Sequence, residues 1–448
     1  MRLNKKTLAR VSHEPVAFDE INIKDKFWQD EDWDCNMPSP GFITDFVLAT
    51  RGIESPSKFS IWVAINMISS VLRRYAWIDW VPKALYSNFY VCLIAPPRIC
   101  AKGTVINWGM RILGKYHTFI SDPERHLEAI VRFIRNKATP EKLVIEMLPQ
   151  VLRPKGNSRV QVDKGSQVSI VVPELATFLG KQTYNEGIID LLTNLYDCED
   201  EWTYSTKKED VLRLRNVFVT FLGGTTADAL SSSIPFSAFG GGFMSRMVAV
   251  VQDRPTRSRP KPLQVAGGPS DEELARRLAW IGQNVVGAYQ LSEEADLAYC
   301  AWYDKFFLER IDFSNKQMAR YDNILLKLAL IIRASRYAEG RNIELQDYED
   351  AKRLMEATYK DNKKVIEGVG APQIVKLRST IEGYLFKKKE VRRRTALMAG
   401  SNRWSVDQFD RVIDRLCQED QVQILLNDKI RRRSVKDSKE VYKWVGHE

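Results

Sequence analysis

The chain has 448 residues, 44% of them apolar and 28% charged, with a formal net charge of +10. This is an ordinary globular composition, long enough for several domains and a sizeable core, and it excludes disordered, collagen-like and disulfide-stapled classes. No apolar run reaches the roughly 18 residues of a membrane span, and no apolar stretch follows the basic start Met1-Arg-Leu-Asn-Lys-Lys-Thr7, so neither a membrane anchor nor a secretory signal is expected. The six cysteines form no C-x-x-C pair and the four histidines are scattered. Zinc and a disulfide framework are therefore not expected, and a reducing, cytoplasmic setting is.

In chain order, residues 1–36 are polar and acidic-aromatic and read as an N-terminal arm. Residues 37–252 read as an α/β core. Gly41–Arg51 and Ser57–Tyr75 carry helical spacing, and Trp77–Val81 reads as a short strand. Phe89–Ile94 is a buried-strand run, a tight turn follows, and Val105–Leu113 is helical. Glu124–Lys137 and Pro140–Leu152 read as helices, and Arg153–Gly165 as a polar loop. Val168–Val172, Val217–Leu222 and Met247–Val251 are further strands, with a helix over Asn185–Tyr196. Short apolar strands alternating with helices predict a parallel sheet covered on both faces. Pro, Gly and charge make 253–269 a linker, and 270–368 reads as a helical lid. Val369–Pro372 predicts a break, and 374–448 reads as three helices (Ile374–Lys389, Val391–Gly400, Ser405–Glu419) with strands Gln421–Leu426 and Glu440–Val445. Three helices and a hairpin with a basic tip is the pattern of a winged helix-turn-helix.

Strand, turn, Lys102, helix is the layout of a P-loop, G-x-x-x-x-G-K-[ST], whose glycines turn backbone N–H groups toward phosphate. With Lys102 as the motif lysine, Pro96 and Ala101 replace the glycines, Gly103 takes the hydroxyl position and Thr104 follows it. Downstream, Glu174 closes an acidic strand end and stands where a water-orienting carboxylate belongs. Thr225 and Thr226 close a polar strand end, and Arg246 precedes the last strand. Each has a plain alternative: a helix-start acid, a cap and a surface charge.

This order resembles the AAA+ ATPase core, and more closely the replicative helicase-type ATPases of phages and mobile elements related to MCM. The resemblance rests on Asn88–Pro97, Lys102–Thr104, Pro173–Gly180, Leu191–Asp197, Leu222–Thr226, Gly240–Arg246 and Arg320–Ala329. It implies ATP and Mg2+ as cofactors, Lys102, Gly103 and Thr104 at the nucleotide, and Thr104 at the metal. It further implies Glu174, Thr225 and Thr226 in catalysis, Arg320 on a sensor-2 lid helix near the γ-phosphate, Arg246 as a finger reaching a neighbouring subunit, and a hexameric ring in a bacterial or phage-infected cytoplasm.

From Ile374 to Glu448 there are 18 Lys and Arg against 11 Asp and Glu, a surplus of 7 out of the chain's +10. Such concentration predicts a polyanion partner, a nucleic acid; the resemblance implies single-stranded or forked DNA, and Asp407, Asp410 and Asp414 on the expected recognition helix predict low sequence specificity. The candidate contacts are Arg392, Arg393, Arg394, Arg403, Lys429, Arg431, Arg432 and Arg433. Lys207 and Lys208 join them in a loop that would line a ring's pore, as would Arg153–Lys164. Two other functions fit the same residues. One is a helicase loader or DNA-binding scaffold with weak or absent turnover, which the missing glycines and Pro173 favour. The other is a winged-helix regulator.

Overall fold

The computed structural model describes residue 33 and residues 36–135, 139–152, 162–163, 165–179, 182–205, 211–234, 242–261, 268–311, 320–393, 395–396, 406–418, 422–426, 429–430 and 441–445. The chain divides into two compact units, residues 1–362 and 363–448.

In the larger unit the elements run α1 (Phe42–Thr50), α2 (Ser57–Leu72), β1 (Ala76–Ile78), β2 (Leu85–Tyr86), β3 (Tyr90–Ile94) and α3 (Lys102–Leu113). Then come α4 (Pro123–Ala129), β4 (Phe133–Ile134), α5 (Pro140–Met147), β5 (Val151–Leu152), β6 (Val162–Asp163) and β7 (Gln167–Val172). Next are α6 (Leu175–Leu179), α7 (Gln182–Leu195), β8 (Glu201–Tyr204), β9 (Leu212–Arg215), β10 (Phe218–Thr225), α8 (Ala227–Ser233) and β11 (Met247–Val251). The unit continues through α9 (Asp271–Asn284), β12 (Gly287–Leu291), α10 (Glu293–Ile311), α11 (Tyr321–Ser335) and β13 (Asn342–Ile343). The helix α12 (Leu345–Lys388) crosses the division between the units.

The expected parallel sheet is present. Five strands pair in the order β11-β3-β10-β7-β4, all parallel. Strands β3, β10 and β11 are buried at every residue, as a sheet covered on both faces requires. The helix α2 lies on it, buried along its whole length. Ser70 of α2 meets Ser169 of β7 at 2.9 Å and Thr220 of β10 at 3.2 Å, and Asn66 donates to the Phe221 carbonyl at 3.2 Å. These bonds satisfy polar groups inside an otherwise apolar interface.

Several expectations change. Glu124–Lys137 is not one helix: α4 ends at Ala129, and β4 forms the edge of the sheet. A two-residue strand has no periodicity of its own to read. Pro140–Leu152 likewise stops as a helix at Met147 and gives its end to the β5–β6 hairpin. The stretch 270–368 is not helical throughout. Strands β12 and β13 lie inside it, and β12 pairs in parallel with β1 in a second sheet of order β13-β12-β1-β2. Residues from Phe42 to Met355 share one hydrophobic core. Helix α9 opens with a capping box between Ser270 and Glu273.

The smaller unit holds β14 (Glu390–Arg392), α13 (Val406–Gln418), β15 (Val422–Leu426), β16 (Lys429–Ile430) and β17 (Val441–Trp444). Its strands form an antiparallel sheet, β14-β17-β15-β16, over a core of its own that includes Ile381, Leu385, Phe409, Ile413 and Tyr442. Two expectations differ here. The helix α12 runs through Val369–Pro372, and the chain enters a strand at Glu390–Arg392 where a helix over Val391–Gly400 was expected. Pairing with β17 overrides the helical spacing there.

Candidate functional site

All five strands point the same way, so the sheet has two distinct ends. The carboxyl ends of β3, β7 and β10 are adjacent because β10 lies between the other two. This is where ligands of open parallel sheets bind.

The loop after β3 answers to no glycine, yet it makes left-handed turns. Arg98 has φ of 62° and Ala101 φ of 42°. Ala101 is the N-cap of α3, and its carbonyl accepts from Thr104 N–H at 3.0 Å and Val105 N–H at 3.2 Å. The N–H groups of Lys102 and Gly103 are left without a helical acceptor. The Cys100 thiol anchors the loop on the carbonyls of Gln252 and Arg254, just past β11. Lys102 folds back over the loop and donates to the Ala95 carbonyl at 3.2 Å, while the Ala95 N–H donates to the Thr225 carbonyl at 3.2 Å.

The backbone of β10 comes close to β7 and α3. A Cβ on Gly224 would lie 2.6 Å from the Pro173 carbonyl oxygen and 3.4 Å from Ile106 Cδ1. Only glycine fits there. Lys102, Thr225 and the Pro173–Glu174 turn thus share one end of the sheet, with Glu174 and Thr104 exposed and Thr225 buried. Thr225 is the last residue of β10, and its hydroxyl donates to the Thr226 carbonyl at 3.3 Å. The Thr226 hydroxyl caps α8, accepting from Ala229 N–H at 3.1 Å. A cation that takes phosphates, free helix-start N–H groups, a hydroxyl and a carboxylate are a donor set that ATP with Mg2+ fits. Among the described residues no group of three or more His, Cys, Asp or Glu is placed to hold a metal by itself.

Arg246 and Arg320 are at the other end. Arg246 immediately precedes β11, whose first residue pairs with Tyr90 at the start of β3. Five residue steps separate that level from Ala95, roughly 17 Å. Both arginines close on one carboxylate: Arg246 Nη2 reaches Asp197 Oδ2 and Arg320 Nη1 reaches Asp197 Oδ1, each at 3.0 Å. Arg246 also donates to the Gly242 carbonyl at 2.8 Å. Partial burial pushes the Asp197 carboxyl up, but the charges and hydrogen bonds of Arg320 and Arg246 outweigh it and hold the group below the usual carboxylate range.

Compared with known protein families and with curated proteins, the sequence matches none. The geometry therefore has to carry the function.

Sequence reasoning passed over Asp197, Asn88 and Lys327. Lys327 of α11 is 5% exposed and donates to Asn88 Oδ1 at 2.8 Å, and its ammonium sits 4.2 Å from the centre of the Tyr196 ring. Burial pushes that ammonium from 10.5 down to about 8, with Cys198 and Asp197 pulling it up and Arg320 and Arg246 pushing it down. A lysine inside an otherwise apolar helical stretch, Ile324 to Ile332, is the signal that could have marked it.

Among the candidate DNA contacts, Arg392 is exposed on β14. Arg393 turns inward: it is buried, pairs with Asp410 of α13 and donates to the Tyr442 hydroxyl at 3.0 Å. It is a core ion pair rather than a free surface cation. Lys429 opens β16. Arg394, Arg403, Lys207, Lys208 and Arg431–Arg433 lie outside the described residues, as does most of Arg153–Lys164. The β8–β9 hairpin that leads to Lys207 and Lys208 stacks Trp202 on Tyr204, ring centres 6.0 Å apart, and exposes Arg213 and Arg215.

Proposed function

We propose that the chain is an ATP-dependent, DNA-translocating ring ATPase of the AAA+ type, a replicative helicase in the manner of the MCM-related enzymes of phages and mobile elements. The observation that carries this is the division of the charged groups between the two ends of one parallel sheet. Lys102, Glu174 and Thr225 form half of a phosphoryl-transfer site. Arg246 and Arg320 form a cationic half roughly 17 Å away along the strands. Two halves on opposite ends meet only when copies stack head to tail, which is the heterologous contact that closes a ring.

In this reading Lys102 and the N–H groups of Lys102 and Gly103 hold the terminal phosphates. Thr104 would help hold magnesium, alongside phosphates and water. Glu174 orients the attacking water and Thr225 backs the loop. Arg246 and Arg320 of one copy neutralise charge developing on the phosphates held by the next, and such positioned charges supply most of the catalysis in phosphoryl transfer. The γ-phosphoryl group of ATP would pass to the attacking water, with ADP as the leaving group. The exposed arginines and stacked aromatics of the β8–β9 hairpin and the basic 374–448 segment, read as a winged helix, would hold the DNA backbone.

Turnover measured on the full chain with and without single-stranded DNA tests this. Wild type should hydrolyse ATP, faster with DNA, while Lys102→Ala and Glu174→Gln should lose at least about a hundredfold. A chain that neither binds nor hydrolyses ATP overturns it. A second reading, a nucleotide-binding loader with little turnover, is favoured by Pro173 at the metal-side position and by Thr226 being committed to a helix cap. It predicts ATP binding that depends on Lys102 without DNA-stimulated hydrolysis.

A further inference from the structure

The end of the sheet that carries Arg320 also encloses a cavity of about 310 Å3. Its walls include Asn88, Asp197, Arg320, Asn323 and Lys327. At its rim Lys83 and Glu199 neutralise each other at 2.6 Å. The deeper charges do not balance. Arg246 and Arg320 share the single carboxylate of Asp197, and Lys327 donates to the side-chain oxygen of Asn88 at 2.8 Å and its carbonyl at 3.5 Å, over the Tyr196 ring at 4.2 Å. Among the described residues no carboxylate pairs with Lys327. Three cations face one anion around Asp197.

Burying an ammonium without a counter-charge is expensive, and an amide oxygen and an aromatic face offset only part of that cost. A methionine at position 327 would fill the same space without that cost. The surplus charge is directed at a cavity large enough for a small oxyanion. We infer that this cavity binds a phosphate-class dianion, held by Lys327 and Arg320 with Asn323 as a neutral donor. The site stands independently of the Lys102 loop, at the opposite end of the sheet. Its ligand is either a free phosphate or the terminal phosphate of a nucleotide carried by a neighbouring copy, and both present the same oxygens.

Thermal unfolding of the full chain in inorganic phosphate, against chloride at equal ionic strength, tests the site. The unfolding midpoint should rise and saturate with phosphate, and the rise should persist in Lys102→Ala. Lys327→Met should weaken the apparent affinity at least about tenfold, as loss of a charged hydrogen-bond donor does. That variant removes a buried charge and keeps the volume, so it should fold, which circular dichroism checks; Arg320→Gln is the second variant and should weaken binding in the same direction. A saturating effect of phosphate alone on dilute protein identifies a free anion. No effect of phosphate, but a stabilisation by ATP at assembling concentrations that Lys327→Met abolishes, identifies the neighbour's nucleotide. Both results support the cavity. A phosphate effect lost in Lys102→Ala and kept in Lys327→Met places the anion at the loop and overturns the inference. So does the absence of any Lys327-dependent response to either ligand. Because the phosphate arm needs no turnover, an inactive ATPase leaves it intact.

Discussion

Single residues decide how the loop after β3 works. A P-loop spends glycines where the backbone must turn left-handed. Here Arg98 and Ala101 take that conformation themselves, at about 1–2 kcal/mol each. Ala101→Gly relieves the strain at a smaller entropic cost. It should be neutral or stabilising by up to about 1 kcal/mol, whereas Ala101→Val should destabilise by more than about 1 kcal/mol, because a branched side chain tolerates positive φ poorly. Urea unfolding of the two variants checks this. Lys327 gives a second prediction. Its ammonium loses its proton near pH 8 in the folded chain but near 10.5 in the unfolded one. Below pH 8 both states are charged and the burial penalty is constant. Between these values the unfolded chain holds more protons, so stability rises with pH, by about 1.4 kcal/mol per unit. The groups facing it are Asp197, Arg246, Arg320, Tyr196 and Cys198, and burial raises both the Tyr196 hydroxyl and the Cys198 thiol, the latter to about 11. Wild type should therefore gain stability relative to Lys327→Met between about pH 8 and 10; parallel curves for the two proteins would contradict the assignment.

Elements were legible where their pattern was long. The buried runs that became β3, β7, β10 and β11, and the helices α2 and α11, declare themselves by apolar content and spacing. The elements missed were short or borrowed their stability from a partner: β4, β12, β13 and β14 are held by pairing with strands remote in sequence. Nothing local in Phe133-Ile134 or Glu390–Arg392 records that pairing. The order of the candidate residues could be read in the sequence, but their division between two ends of the sheet could not, because that depends on strand order. Gly224 ties the two levels together. Gly224→Ala should open β10 from β7 and α3 and destabilise by about 1–3 kcal/mol, measured by chemical unfolding. In the smaller unit the Arg393–Asp410 pair sits in the core, so Arg393→Ala should cost about 3 kcal/mol by leaving Asp410 buried and unpaired. An unchanged stability would mean that Arg393 is a surface residue after all.

At the scale of the whole molecule, two units with separate cores predict two thermal transitions in calorimetry. Arg393→Ala should lower only the one belonging to the smaller unit. The larger unit carries the Lys102 loop and the Arg246–Arg320 cluster at opposite ends of one sheet. Asp197 holds Arg246 and Arg320 together. On the function proposed above, assembly would complete the active site, and ATP turnover should depend on protein concentration.

Subunit mixing tests that claim most directly. Lys102→Ala lacks the phosphate half-site and Arg246→Ala lacks the cationic one, so each alone should be inactive. Mixed in equal amounts, they create junctions in which an intact Lys102 of one copy meets an intact Arg246 of the next. The account predicts that ATP hydrolysis reappears in the mixture. A mixture as inactive as its components, with both variants folded and assembled, would contradict a site shared between copies.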